Sequence, residues 1–355
     1  MPTPCRIVIG LVAMVLSASG SASAQAPVIS KPRPAPRDAP NMPMLPPAVI
    51  DNQLNIGGDN INARQVDTRM TVEVQVNGRG PYHFVVDSGA DTSVVGLRLA
   101  QALQLPLGRP VLMNSMTERN IVDRVKVAAL TVGPSTVGDL EVPALREQDL
   151  GGDGMIGIDA LVRQRLMMDF EKRTIKVEDA AKPAAYTNGE IVVTAKLLHG
   201  QLILTEVRAN GVALDAVIDT GSEITIGNLA LRDKLLRHRV KQDWTVATTG
   251  VTGKTVNLQL ATLQELHLGS VTMREVPIAF ADVPPFKVFG MADQPALLIG
   301  TDLLETFRRV SLDFRARKVR FQLRNCGTDA IVVSTAPTSA FAHLSSGSDQ
   351  STCAR

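Results

Sequence analysis

Residues 84–95 have the sequence Phe-Val-Val-Asp-Ser-Gly-Ala-Asp-Thr-Ser-Val-Val, and residues 216–227 have the similar sequence Ala-Val-Ile-Asp-Thr-Gly-Ser-Glu-Ile-Thr-Ile-Gly. Each stretch places an Asp, a hydroxyl residue and a Gly directly after a short β-branched run, which is typical of a strand. The two Asp residues are Asp87 and Asp219. A site that combines two carboxylates can share one proton, and so it can supply an acid and a base together.

The two stretches belong to a longer internal repeat. Each copy has an alternating apolar strand that ends in Asn-Gly, which indicates a β-hairpin. Apolar residues at helical spacing follow each Asp motif, and an Ile-Gly-x-Asp segment comes later. The matching segments are residues 72–78 with 204–211, 96–103 with 227–236, and 155–161 with 298–304.

Many short strands, frequent turns and few helices in each copy predict a mainly β fold with two lobes of ordinary domain size. An alternative is two independent β domains that share no site. The predicted division of the chain is a signal peptide at 1–24, a Pro-rich linker or propeptide at 25–66, an N-terminal lobe at 67–182, a C-terminal lobe at 187–325 and a loose tail at 326–355.

The motifs resemble those of the retropepsin-like and pepsin-like aspartic proteases. Residues 87–93 are similar to the retroviral active-site segment, and residues 219–222 are closer to the pepsin form. Residues 155–157 and 298–300 are similar to the second motif of that family, which packs beside the active-site loop. The resemblance covers about residues 67–325. It implies a pseudo-two-fold acid-protease fold in which each lobe is a closed retropepsin-like β unit with short helices and supplies one Asp.

The resemblance also implies roles for the residues around each Asp. Asp87 and Asp219 would be catalytic, and the hydroxyls of Ser88 and Thr220 would brace the two loops against each other. Gly89 and Gly221 would let the backbone approach closely, because Gly has no Cβ. The predicted supporting residues of the active-site loops are therefore Ser88, Gly89, Thr220, Gly221 and Ser222.

The two copies differ at the fourth motif position, which is Ala90 in the first and Ser222 in the second. A Ser hydroxyl could donate to the carboxylate of Asp219, and such a bond favours the charged form. We therefore expect Asp219 to ionise first and Asp87 to hold the shared proton.

Flexible flaps over the cleft are a further feature that the resemblance implies. The matching stretch of the first copy, residues 111–119, contains no Gly, whereas residues 249–253 of the second copy contain two. The candidate flap residues are Ser115, Met116, Gly250 and Gly253.

The predicted function is that of an aspartic endopeptidase, a monomer with an intramolecular dyad that hydrolyses peptide bonds with an activated water. One alternative is a non-catalytic cleft protein that binds extended peptides by strand addition. Another is an active site formed only between like halves of two chains. Asp159 and Asp302 are interpreted as helix caps, and Asp91 as a local loop or salt-bridge residue.

Other classes of function lack support in the sequence. The five His residues have no metal-ligand spacing, so neither a metal nor another cofactor is expected. There is no Gly-x-Ser-x-Gly elbow, no Gly-rich phosphate loop and a formal net charge of only +2. The expected partner is therefore a peptide or protein substrate and not a nucleic acid.

The N-terminus has the pattern of an export signal. Arg6 precedes an apolar stretch at residues 7–17, and Ala-Ser-Ala at 22–24 fits a cleavage site before Gln25. The apolar stretch is too short to span a membrane. We therefore expect a bacterial protein of the periplasm or the medium. The mature chain would keep Cys326 and Cys353, which we expect to form a disulfide in that oxidising compartment.

Overall fold

The computed structural model describes most of the predicted lobes and four short segments outside them. The described residues are 28–36, 59–61, 63–66, 69–133, 135–161, 164–180, 190–236, 242–324 and 331–332. The predicted signal peptide and both cysteines of the expected disulfide lie outside them.

The first half of the chain contains thirteen strands and three short helices among the described residues. In order, they are β1 (Arg33–Pro34), β2 (Asp59–Ile61), β3 (Ala63–Val66), β4 (Arg69–Val76), β5 (Arg79–Val86), β6 (Val94–Gly96), α1 (Leu97–Ala102), β7 (Val111–Asn114), β8 (Arg119–Val122), β9 (Arg124–Val132), β10 (Ser135–Leu145), α2 (Glu147–Leu150), β11 (Gly154–Ile156), α3 (Ile158–Leu161), β12 (Gln164–Asp169) and β13 (Thr174–Asp179).

The second half repeats much of this order. Its elements are β14 (Glu190–Leu198), β15 (Gln201–Ala209), β16 (Val212–Ile218), β17 (Ile226–Gly227), α4 (Leu229–Leu236), β18 (Gln242–Thr249), β19 (Thr255–Leu268), β20 (Val271–Phe280), α5 (Pro284–Val288), β21 (Ala296–Ile299), α6 (Thr301–Leu304), β22 (Arg309–Asp313), β23 (Lys318–Gln322) and β24 (Ile331–Val332).

Each lobe is a closed six-stranded sheet. In the first lobe the strand order is β4-β5-β11-β6-β10-β9, and β9 pairs back with β4. In the second lobe it is β15-β16-β21-β17-β20-β19, and β19 pairs back with β15. Closure removes the open strand edges that an isolated sheet would expose. The prediction of a mainly β, two-lobed acid-protease fold is confirmed.

The predicted hairpin turns lie at the same place in both lobes. Asn77 and Gly78 join β4 to β5, and Asn210 and Gly211 join β15 to β16. All four residues have positive φ, between 45° and 83°, as a type I′ turn requires. The predicted helical segments are also present, as α1 and α4.

A further run of antiparallel strands joins the lobes, in the order β14-β23-β22-β12-β13-β2. Its central pairing is β12 of the first half with β22 of the second. Two reciprocal ion pairs cross this junction: Arg165 Nε lies 3.0 Å from Asp313 Oδ2, and Arg309 Nε lies 2.6 Å from Asp169 Oδ2. The alternative of two independent domains is therefore wrong.

The predicted Pro-rich linker, residues 25–66, is too long. Strand β3 pairs with β4, and β2 pairs with β13, so residues 59–61 and 63–66 already contribute to the folded lobes. Residues 28–36 also contact the first lobe through β1, which pairs with β8. These short strands have no alternating apolar pattern, and they form through backbone pairing with distant strands. The amino-acid composition of this region therefore did not predict them. In the predicted tail, β24 pairs with β20.

Candidate active site

The two Asp motifs lie at the ends of equivalent strands. Asp87 follows β5 and Asp219 follows β16, and both side chains are buried, with 9% and 7% of their surface exposed. The neighbouring parallel strands β11 and β21 carry the Ile-Gly motifs. Their carbonyls, those of Ile156 and Ile299, accept the Asp87 and Asp219 N–H groups, each at 2.9 Å. Each Asp is thus fixed by the second motif of its own lobe.

The two carboxyl groups meet between the lobes. A Cβ added to Gly89 would lie 2.6 Å from the carboxyl carbon of Asp219, and one added to Gly221 would collide with that of Asp87. The Asp87 and Asp219 side chains also hydrogen-bond each other. The glycine of each loop therefore leaves room for the carboxyl group of the opposite loop, and the arrangement forms within one chain. The alternative of a site formed only between two chains is not supported.

Backbone N–H groups hold both carboxyl groups in the same way. Asp87 Oδ1 accepts from Gly89 N at 2.8 Å and from Ala90 N at 3.0 Å. Asp219 Oδ1 accepts from Gly221 N at 3.1 Å and from the next amide, that of residue 222, at 3.2 Å. Both carboxyl groups thus receive the same pair of backbone donors, and the fourth motif position does not distinguish them through its amide.

The hydroxyls of Ser88 and Thr220 link the two loops reciprocally. Ser88 Oγ donates to the Ile218 carbonyl at 2.9 Å and accepts from Thr220 N at 3.2 Å. Thr220 Oγ1 donates to the Val86 carbonyl at 2.8 Å and accepts from Ser88 N at 2.9 Å. All four hydrogen bonds are buried and all cross between lobes, so they fix the separation of the two carboxyl groups.

The expected role of the Ser222 hydroxyl is wrong. Its Oγ donates to the Ile224 carbonyl at 2.8 Å, so it closes a local turn and leaves only the backbone amide for Asp219. Burial, and then the negative charge of Asp87, raise the pKa of Asp219 well above its usual range. The expected assignment of the shared proton to Asp87 therefore loses the hydroxyl bond on which it rested.

Asp159 and Asp302 do more than cap their own helices. Asp159 accepts from Ser93 Oγ at 2.7 Å, and the same Oγ accepts from Gly157 N at 3.1 Å. The second lobe repeats this circuit, because Asp302 accepts from Thr225 Oγ1, which accepts from Gly300 N. These contacts join the segment after each active-site loop to the Ile-Gly motif. The earlier interpretation of a simple cap is corrected, because the partners come from residues distant in sequence.

Burial raises the pKa of both of these carboxyl groups. The pKa of Asp302 rises to about 6, and that of Asp159 rises as well, although hydrogen bonds from the neighbouring hydroxyl and backbone groups oppose the change.

Gln201 is a buried site residue that sequence reasoning missed. It lies at the start of β15 in the second lobe, and its Nε2 donates to Asp91 Oδ1 and, at 3.4 Å, to the Gly89 carbonyl. Asp91 is therefore a contact between lobes and not only a local loop residue. Burial raises the pKa of Asp91. A polar residue at the start of the apolar run at 201–204 was the only sequence signal for this role.

The candidate flap residues lie in two hairpin tips. The first flap, residues 111–122, turns at Ser115, whose hydroxyl donates to the Glu118 carbonyl at 2.9 Å and accepts from its N–H at 3.2 Å. This side chain closes the turn without a glycine. The second flap, residues 242–261, turns at 250–253, where Gly253 has a φ of +83°.

Each flap tip packs against the opposite lobe. Met116 of the first flap contacts an apolar cluster of the second lobe, which Ile224 of the second active-site loop also contacts. Val251 of the second flap contacts an apolar cluster of the first lobe, together with Ala90 of the first active-site loop. Both tips therefore lie next to the active-site loops.

A cavity of about 340 Å³ lies beside the tip of the first flap. Its wall is formed by that tip, by β19, by α4 and by the segment after β20. The apolar lining residues are Met116, Leu229, Val256, Leu258, Phe280, Ala281 and Val283. Arg232 and Asp282 add charge to the wall.

Each closed β lobe supplies one Asp-Ser/Thr-Gly loop, and the two loops bring their carboxyl groups together. This arrangement defines a class of two-lobed proteins with a pair of carboxyl groups at the junction of the lobes. A sequence model of the family described as Aspartyl protease matches residues 72–160 and 205–303, which together are more than half of the chain. The chain belongs to the aspartyl protease family, with the family domain present in two copies. No curated protein matches the sequence significantly.

The described residues contain neither a membrane-spanning helix nor a metal-binding group of side chains. Within those residues, no helix has the length and apolar character needed to cross a membrane. Over the same ranges, no group of three or more His, Cys, Asp or Glu side chains is arranged to hold a metal ion.

Proposed function

We propose that the protein is an aspartic endopeptidase in which Asp87 and Asp219 activate a water molecule for attack on a peptide carbonyl. The observation that carries the proposal is the pairing of the two buried carboxyl groups, each fitted against the glycine of the opposite loop. Two buried carboxyl groups that lie side by side do not both ionise readily, so the pair keeps one proton.

In the proposed mechanism, one carboxyl group acts as a base while the other, which holds the proton, acts as an acid. Asp87, the ionised partner, takes a proton from water while the water oxygen bonds to the carbonyl carbon. Asp219, whose pKa is raised, gives its proton to the carbonyl oxygen. In the second step the proton now on Asp87 passes to the amide nitrogen and the C–N bond breaks. Asp219 recovers its proton as the carbonyl reforms, which returns the pair to its starting state.

The cavity beside the first flap is the proposed pocket for one substrate side chain. Its apolar lining residues could receive an apolar stem, and Thr117, Asn257, Gln259, Arg232 and Asp282 in the same lining offer partners to a polar end. The peptide backbone would lie between the flap tips and the active-site loops.

The test is hydrolysis of a random peptide library from pH 3 to 7 by the mature protein and by Asp87→Asn and Asp219→Asn variants. Asn is nearly isosteric but cannot act as the base or as the shared acid, so each variant should fold and lose hydrolysis. The exposed Asp139, which has a positive φ that Asn also tolerates, is a matched control: Asp139→Asn should keep full activity.

Three outcomes separate this proposal from the alternatives. Loss of activity in both variants, with no recovery when they are mixed, supports an intramolecular pair. Recovery on mixing would instead indicate active sites formed across chains. Peptide binding without hydrolysis in the unmodified protein would favour the non-catalytic cleft protein.

We also propose that the protein is exported and acts in the periplasm or the medium. The charged, apolar and small-residue order of the first 24 residues supports this. N-terminal sequencing of the exported protein should find Gln25 first, and retention of Met1 would refute the proposal.

A further inference from the structure

The first flap has an additional strand along its outer edge. Strand β1 pairs with β8 in antiparallel register, with Arg33 opposite Ile121 and Pro34 opposite Asn120. The Ala35 N–H donates to the Arg119 carbonyl at 3.1 Å, close to the flap tip. The first flap is therefore part of a three-stranded sheet, with the order β1-β8-β7.

The same segment is fixed at the base of the flap. Asp123 lies between β8 and β9, and its Oδ2 accepts from Ser30 N at 2.8 Å. Its Oδ1 lies 3.6 Å from the Arg33 guanidinium. Ile29, which is only 7% exposed, belongs to the large core cluster, whereas Val111, Met113 and Val122 of the flap belong to a separate cluster. The segment thus connects the main core to the outer edge of the first flap.

The second flap lacks such a strand in the described part of the chain. Strand β18 is the last strand of its sheet and pairs only with β19 there. Its tip contains Gly250 and Gly253, whereas the tip of the first flap contains none. Outer strands with few partners open at a lower free-energy cost than strands paired on both sides.

The two tips touch each other, so one flap must move before an extended peptide can reach the carboxyl pair. Thr252 Oγ1 donates to Glu118 Oε1 at 3.0 Å, and Lys254 Nζ lies 3.8 Å from Glu118 Oε2. Gly250 lies against the Thr117 side chain, with no room for a Cβ. When this contact and the packing of Val251 on the first lobe are broken, the second flap is released, while the first flap stays paired to β1.

We propose that residues 28–36 form a strap that holds the first flap in place, so that peptides enter and leave by movement of the second flap. The part of this proposal that concerns substrate access rests on the proposed endopeptidase function. The strap contacts β8 along its whole length, from Asp123 at the base of the flap to Arg119 near its tip, so it can hold that strand at both ends.

The strap is tested by amide hydrogen exchange on the whole mature protein. The β8 amides of the unmodified protein should exchange more slowly than those of β18. Ile29→Ser removes the core anchor, and Ala35→Pro removes the N–H that bonds Arg119 without altering either lobe. Each variant should speed exchange in β8, by on the order of tenfold for Ile29→Ser, and leave β18 within about twofold. Lys31→Ala, at an exposed position of the strap, is the matched control and should change neither.

A second measurement separates failure of the strap from failure of the proposed function. A statine-type peptide mimic should add protection in residues 245–255 and little in β8. Absence of binding would count against the endopeptidase, while exchange in the free protein would still test the strap. Unchanged β8 exchange in both strap variants, or equal acceleration of β8 and β18, would overturn the proposal.

Discussion

Replacing Thr220 by Val tests whether the reciprocal hydroxyl bonds hold the active site together. Val has nearly the same shape but no hydroxyl. The change removes the bond from Thr220 Oγ1 to the Val86 carbonyl, at 2.8 Å, and the bond that Ser88 N–H donates to Thr220, at 2.9 Å. Both partners are buried, and both lie in the opposite lobe.

The expected cost follows from the groups that lose their partner. A buried donor or acceptor left without its bond costs about 1–3 kcal/mol, so two of them should lower the free energy of unfolding by about 2–6 kcal/mol. That is a large fraction of the roughly 5–15 kcal/mol that ordinary domains have. Hydrolysis should also fall, because the spacing of the carboxyl groups depends on these bonds.

Thr220→Ser is the matched control, because it keeps the hydroxyl and loses one methyl group, worth about 0.8 kcal/mol. Urea unfolding of both variants measures the cost, and peptide hydrolysis measures the effect on the site. Combining Thr220→Val with Ser88→Ala should cost less than the sum of the single changes, since both residues belong to one network. Equal stability and equal activity of Thr220→Val and Thr220→Ser would contradict this prediction.

Three further predictions follow from the site and from the junction between lobes. Ser222→Ala should leave the acid limb of the pH–activity profile unchanged, because its hydroxyl bonds a backbone carbonyl; an upward shift would show that the hydroxyl does reach the carboxyl pair. Asp313→Asn should lower the free energy of unfolding by about 3 kcal/mol or more, measured by urea titration, because it leaves the buried Arg165 with an incomplete partner; a loss below about 1 kcal/mol would contradict this. The pKa of Asp302 is raised from 3.8 to about 6 in the folded protein. Between those two pH values the folded state holds a proton on Asp302, whereas the unfolded state has lost it. This group should therefore lower the free energy of unfolding by about 3 kcal/mol as the pH rises through that window, a component that Asp302→Asn should abolish.

Much of the fold could be predicted because its signals are local and occur twice. The Asn-Gly turns at residues 77–78 and 210–211 fix two hairpins, and the apolar spacing after each Asp motif indicates α1 and α4. The polar strands β2 and β3 gave no such signal, because backbone pairing with distant strands creates them.

The candidate site was predictable in its residue types but not in its contacts. The duplicated motif identifies Asp87 and Asp219, since no other repeated segment offers a carboxylate beside a hydroxyl and a glycine. The direction of the Ser222 hydroxyl depends on the turn that follows it, and the role of Gln201 depends on the first lobe. Neither contact has a local pattern that sequence reasoning could use.

The sequence by itself determined that two equivalent β units exist, where their hairpins turn and which two carboxylates end equivalent strands. These features depend on side-chain periodicity and on positive φ at Asn-Gly, which act over a few residues. The tertiary structure alone decided that the two carboxyl groups meet, that burial and the charge of Asp87 raise the pKa of Asp219, and that residues 28–36 pair with the first flap. These depend on burial and hydrogen bonding between segments far apart in the chain, and such interactions exist only once both lobes have packed against each other.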